Sequence, residues 1–263
     1  MGEGESSGAA AEGEGEEAAP LEFWGIVEHV PQVTATSTYV DEMTDAQGRK
    51  QLGEATPTGN INFALERYDA ADNKCGLRIR TMVLPMKLQL AKGATSPSGN
   101  YILLTEEQKQ DVVTHEKTHM EKYTKHLQLV NDKVKALDVA VRSLRAGEAQ
   151  KKVVDALVAK LTPLLTTYLN SQIQLEKKRQ FFHLDHLDEP IWEITNTQIR
   201  KHATRTYRDE LTLADLQGAF DFLGNANTID EAIQAINAKR LQTFQELTQI
   251  LDTILAKIDT LKC

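Results

Sequence analysis

Residues 114–123 read Thr-His-Glu-Lys-Thr-His-Met-Glu-Lys-Tyr. His115 and His119 stand four apart, so on a helix they lie one turn apart on the same face. That spacing lets two imidazoles share one Zn²⁺. Glu116 follows the first histidine directly, a position from which a carboxylate can take a proton from water beside the ion. A catalytic zinc needs a third protein ligand. His126 is seven residues past His119, and two helical turns, about 10 Å, are too far for it to join a single ion.

The helix that must carry these residues is well marked. Thr105-Glu-Glu-Gln108 is a capping box with acids in the first turn. No Pro or Gly follows until Gly147. The stripe Val112, His115, His119, His126, Val130, Val134, Leu137 and Val141 gives that helix a buried side. A second helical stretch runs from about Glu148 to Phe182, with Pro163 expected to kink or break it. If Gly147 marks the turn of an antiparallel hairpin, residues 28 to 32 past it lie level with the motif. Just beyond comes "FFHLDHLDEP", residues 181–190, the densest cluster of potential ligands outside the motif. From it His186 is favoured as third ligand, with His183 as the alternative and then one of the acids. The opposing interpretation is a polar helix C-terminus, where His is common.

Residues 21–104 read as strands and turns, rich in β-branched and aromatic residues. The run 77–90 alternates with an interruption at Pro85, which points to an edge strand or a bulge there. An edge strand could hold an extended peptide by strand addition. Residues 190–263 read as helical, with breaks near "DEP", "RDELTLAD" and "GNANT". The expected fold is α+β and predominantly α. It has a small strand-rich N-terminal part, then a long antiparallel helical hairpin over 105–189, then further C-terminal helices over 190–263.

Composition narrows the function. Formal net charge is −8, and six glutamates with no Lys or Arg fall in residues 1–20. The remainder is near neutral, which argues against nucleic acid as a partner. The 1–20 segment reads as a disordered acidic tail. Cys75 and Cys263 are the only cysteines, too few for a disulfide framework or a zinc–thiolate site. No stretch is apolar enough for stable membrane insertion, and no secretory leader is visible, so a cytoplasmic location is expected.

A strand-rich portion, a capped helix bearing HEKTH, and a long hairpin returning further ligands resemble the zincin-type zinc-dependent peptidases. The arrangement is similar to a poorly characterised bacterial group in which a long hairpin follows HExxH. The likeness covers about residues 75–190 and rests on His115, Glu116 and His119. It implies Zn²⁺ as cofactor, a peptide or protein as substrate, and Glu116 as general base acting on a metal-activated water. It also implies a histidine from the end of the second helix, although "HLDHLDEP" departs from the group's own segment. Tyr123, Tyr207, His202 and Arg205 are candidates to stabilise the oxyanion. Two other readings compete. One is a helical interaction protein, with self-association through the long helices and an incidental motif. The other is a protein that binds metal without catalysis.

Overall fold

The computed structural model describes residues 22–24, 33–45 and 48–262, with side chains from Thr38 onward. The acidic tail and Cys263 lie outside the described residues. The fold is α+β.

The sheet is organised by one long strand. Strands β1 (Glu22–Trp24) and β2 (Val33–Val40) come first, then the short hairpin of β3 (Met43–Thr44) and β4 (Lys50–Gln51). After β5 (Gly53–Pro57) and β6 (Asn62–Asp69) comes the 17-residue β7 (Cys75–Ala91). Both β5 and β6 run antiparallel to β7 along the same side, and β2 runs parallel to its C-terminal half on the other side. From Met86 to Leu90 this strand is therefore flanked on both sides, and Pro85 just before it has β2 on one side and the Thr58 N–H on the other. The expected edge at Pro85 is not there.

Proline is tolerated at this interior position because of where its missing N–H falls. The Pro85 carbonyl accepts from the Thr58 N–H, so the absent donor faces the 58–61 gap between β5 and β6, where the ladder is already broken. The bulge lies earlier, opposite Ala64 and Leu65. It switches the buried phase from Leu77 and Ile79 to Met82, Leu84, Met86, Leu88 and Leu90. The strand at the sheet margin nearest the motif helix is β5, not β7.

A small hairpin of β8 (Gly93–Thr95) and β9 (Tyr101–Leu103) leads into α1 (Glu106–Arg142) and α2 (Glu148–Phe181). The capping box at Thr105 forms as the sequence implies: the hydroxyl accepts from Gln108 N–H and the Gln108 side chain accepts from Thr105 N–H. Gly147, at φ +127°, opens α2. The two helices run antiparallel, with Gln150 bonded to the Val141 carbonyl at one end and Gln180 to the His119 carbonyl at the other. Pro163 does not break α2, which is continuous from Glu148 to Phe181. Helix α1 packs on β7 and β5, and α2 on β6. Their apolar stripes and the inner sheet face form the main core, including Met82, Leu84, Met120, Val130, Leu161 and Leu165.

Residues 190–206 depart from the helical expectation. They form the hairpin β10 (Pro190–Ile194) and β11 (Ile199–Thr206). Its β-branched and aromatic residues, Ile191, Trp192, Ile194, Ile199, Thr204 and Thr206, favour a pleated surface. The short α3 (Tyr207–Glu210) and α4 (Leu213–Ala219) follow, then α5 (Ile229–Thr260). Leu247, Leu251, Ile254 and Ile258 of α5 join the main core. Among the described residues no helix is long and apolar enough to cross a membrane.

Candidate functional site

The end of α2 places the second group of histidines. Residues 179–184 close the helix as a Schellman motif: His183 N–H donates to the Gln180 carbonyl and Leu184 N–H to the Arg179 carbonyl. The left-handed residue in such a motif is usually glycine. Here it is His183, at φ +50°, a backbone conformation that costs an L-residue roughly 1–2 kcal/mol. The turn then continues through His186 N–H to the His183 carbonyl and Glu189 N–H to the His186 carbonyl. Leu184 and Leu187 pack into the second apolar cluster with Leu216 and Phe220. Arg179, only 2% exposed, clamps the turn by donating to Asp185 at 2.6 Å.

Four imidazoles meet. Nε2 of His115 and Nε2 of His119 are 3.1 Å apart. Two nitrogens bound tetrahedrally to one zinc at 2.0–2.1 Å would stand about 3.3–3.4 Å apart. Ligand atoms of His115, His119 and His183 lie within 4.8 Å of one another. A second set within the same limit joins His115, His186 and Glu189. His186 has both nitrogens occupied, Nδ1 at 2.6 Å from Glu189 Oε1 and Nε2 at 3.3 Å from the Thr118 hydroxyl. Glu189 also reaches His115 Nδ1 at 3.3 Å with its other oxygen. A carboxylate on Nδ1 fixes the tautomer and leaves the Nε2 lone pair of His115 facing His119. The Nδ1 of His119 is buried without a partner. His183 stacks on the Tyr207 ring, 3.8 Å between centroids and 6° from parallel. The donor set fits a borderline metal that favours imidazole, zinc among them.

Electrostatics hold these rings in the form that ligates. Burial, and then the neighbouring imidazoles, bring His119 down to about 2 and His183 down to about 3. Burial followed by His186 also lowers His115, against the opposing pull of Glu189. Neutral imidazole is the metal-binding state.

Glu116 lies on another face of α1, against the sheet margin. Its carboxyl takes a backbone hydrogen bond from Ala55 of β5. A Cβ on Gly53 would stand 2.6 Å from Glu116 Oε1 and 2.7 Å from Val112, so only glycine allows this approach. Burial pushes the Glu116 carboxyl up to about 8. It belongs to neither metal set. It nonetheless shares a neighbourhood with Tyr207, whose hydroxyl is raised by burial and then by the Glu116 and Glu189 carboxylates.

The other residues singled out in the sequence separate clearly. Tyr123 is in the core. His202 accepts from the Thr204 and Arg205 backbones on β11, and Arg205 pairs with Glu210. His126 is bonded to Glu176 at 3.3 Å, away from the cluster. The roles of Gly53 and Thr118 had no signal in the sequence, because each depends on a neighbour distant along the chain.

These groups make two outcomes expected. In Glu189→Gln the carboxylate on His115 and His186 becomes a neutral amide, and zinc affinity should fall about 10–100-fold with the ligands intact. A competition titration against a chelating dye measures this, and an unchanged affinity would remove Glu189 from the site. The second concerns the metal-free protein. His119 and His183 gain protons on unfolding below their ordinary value of 6.5, so stability falls as pH drops beneath it. Glu116 acts oppositely: the folded carboxyl keeps its proton up to about 8 and the unfolded one loses it above 4.5, so stability falls as pH rises through that span. The imidazoles outnumber the carboxyl. The melting temperature of chelator-treated protein should therefore peak near pH 6.5–7, the unfolding free energy changing by roughly 1–2 kcal/mol per pH unit on the acid side. Calorimetry from pH 5 to 8.5 tests it, and a melting temperature still climbing at pH 8.5 would contradict the burial of Glu116.

Beside His115 a cleft of about 300 Å³ opens between α1 and β10–β11, lined by Thr114, Thr118, Trp192, Lys201 and Tyr207. Compared with protein-family models, curated proteins and solved structures, the chain matches none.

Proposed function

We propose that this protein is a zinc-dependent metallopeptidase, with His115, His119 and His183 holding the ion and Glu116 as general base. The observation that carries the proposal is the gathering of three imidazoles from α1 and the end of α2 within 4.8 Å, beside an open cleft. Zinc, when bound, supplies a Lewis acid and lowers the pKa of water at the site. The chain's own groups divide the remaining work. Glu189 orients His115 and His186. Burial keeps the ligating rings neutral. Glu116, in its ionised form, takes the proton of the attacking water and returns it to the leaving amine. Were a cation held by His115, His119 and His183, its charge would favour the ionised form of Glu116 over the state burial alone dictates. The Tyr207 hydroxyl is the nearest candidate to donate to the developing oxyanion. The cleft beside His115 offers Trp192 as an apolar wall for a substrate side chain.

The test is mass-spectrometric detection of cleavage in a peptide library by zinc-loaded and chelator-treated protein. Cuts that appear with zinc and vanish without it support the assignment. Absence of any zinc-dependent cut, with zinc retained, favours the second reading, a metal-binding protein without hydrolysis. One feature favours that second reading: Glu116 stands outside both metal sets and is bonded to the β5 backbone.

A further inference from the structure

On the opposite side of α1 from the sheet, a cleft of about 360 Å³ lies between α1 and α5. This is at the lower end of the size range of small-molecule sites. Its polar lining is Lys125, His126, Asn237 and Arg240, and no carboxylate faces it. Leu129, Leu241 and Phe244 form an apolar wall. Leu241 is 56% exposed and Phe244 36%, a cost that an apolar occupant would relieve.

The hydrogen-bond inventory of the lining is one-sided. Glu176, fully buried beneath the cleft, takes Nε2 of His126 at 3.3 Å and Nε of Arg240 at 3.1 Å on one oxygen. That contact fixes the Arg240 guanidinium yet leaves its two terminal nitrogens without a partner among the described residues. Asn237 accepts from Arg179 through its oxygen, so its amide nitrogen remains free to donate. Lys125 makes no ion pair among the described residues. His126, 6% exposed and anchored to Glu176, forms the floor. An ammonium, a guanidinium fork and an amide N–H₂ converge beside an apolar wall. Donors of this kind recognise a carboxylate.

We propose that the α1–α5 cleft binds a small anionic amphiphile, a carboxylate carried on an apolar chain. The carboxylate sits between Lys125 and Arg240, and the chain lies along Leu129, Leu241 and Phe244. The site stands apart from the histidine cluster and does not depend on the peptidase reading.

The experiment is isothermal titration of the full chain, zinc-loaded and chelator-treated, with decanoate below its aggregation concentration. One-to-one saturable binding is expected, equal in both preparations. Lys125→Glu and Leu241→Asp alter exposed residues, so the fold, checked by circular dichroism, should survive. Each should weaken binding about tenfold or more, the loss expected for one charge-assisted contact or an unfavourable charge on the apolar wall. Decanol and decyltrimethylammonium carry the same chain without the anion and should bind at least about tenfold more weakly. Equal affinity for decanol, or indifference to Lys125→Glu, would overturn the proposal. So would binding that requires zinc, which would place the carboxylate at the histidines. Binding seen only with anionic lipid vesicles would make the face a membrane contact and overturn it too.

Discussion

In His183→Gly, zinc affinity should fall roughly 60–700-fold while the metal-free protein keeps its stability to within about 1 kcal/mol. The first figure follows from dividing the roughly 10–16 kcal/mol of zinc binding seen in four-ligand sites among the ligands, at 1.4 kcal/mol per factor of ten. The second follows from opposing terms. Glycine relieves the left-handed strain at φ +50°, worth roughly 1–2 kcal/mol. Loss of the stacked contact with Tyr207 costs roughly 0.5–1.5 kcal/mol. The Schellman hydrogen bonds use backbone atoms and survive the change. A residue held in a strained conformation where glycine would serve better is one kept for its side chain. Dye competition and thermal melting on the same preparation read both quantities. Should zinc affinity stay within threefold of the parent, His183 is no ligand, and His186, with its bonds to Glu189 and Thr118 rearranged, becomes the third.

The second large effect is expected in Glu116→Gln. Peptide cleavage should drop by about 10²–10⁴-fold, the range contributed by a positioned general base. Zinc affinity should remain close to that of the parent, because Glu116 is in neither metal set. The amide oxygen can still accept from Ala55, and the substitution removes a carboxyl that burial holds at about 8. The variant should therefore already be more stable than the parent at pH 7, with the gain complete above about pH 8, because the unfolded parent releases above 4.5 a proton that the folded carboxyl retains. This combination of lost turnover, kept zinc and improved stability separates a catalytic role from a packing role. A variant that cleaves as fast as the parent would leave the metal site without its base and give way to the non-catalytic reading. Gly53→Ala provides an independent probe of the same carboxylate. The added methyl would meet Glu116 Oε1 and Val112 below 3 Å and displace one of them.

Much of the framework was legible in the chain itself. The Thr105 capping box, the uninterrupted run to Gly147, and the four-residue spacing of His115 and His119 are local features. Helix geometry converts them directly into a start, a turn and a shared face. The symmetry argument about Gly147 also held. Antiparallel helices advance equally per residue, so the segment beyond Phe182 had to return to the level of the motif. Other features depended on partners that sequence spacing does not encode. Pro85 looked like an edge because a proline lacks a donor, and only the strand break at 58–61 showed why an interior position could lack one. Pro163 stayed within a continuous helix because packing on both sides overrides a local preference. The hairpin 190–206 carries a mixed pattern, and what holds it as strands is the pairing of its two arms and their contacts with Gln108 and Asp111 of α1, partners that local periodicity does not encode.

At the site the same division appears. The sequence alone determined that two imidazoles lie one turn apart and that more ligand-type residues return beside them, since both follow from residue identity and helical rise. Tertiary structure decided which nitrogens converge and which are already spoken for. His183 and His186 are three residues apart and alike in composition. Their difference comes from a left-handed backbone at one, a carboxylate and a hydroxyl on the other, and a buried arginine that holds the turn between them. The Thr118 contact joins residues 68 positions apart, and only packing in three dimensions can select it; the others are close in sequence but depend on the backbone path by which α2 ends, which residue identity alone does not set.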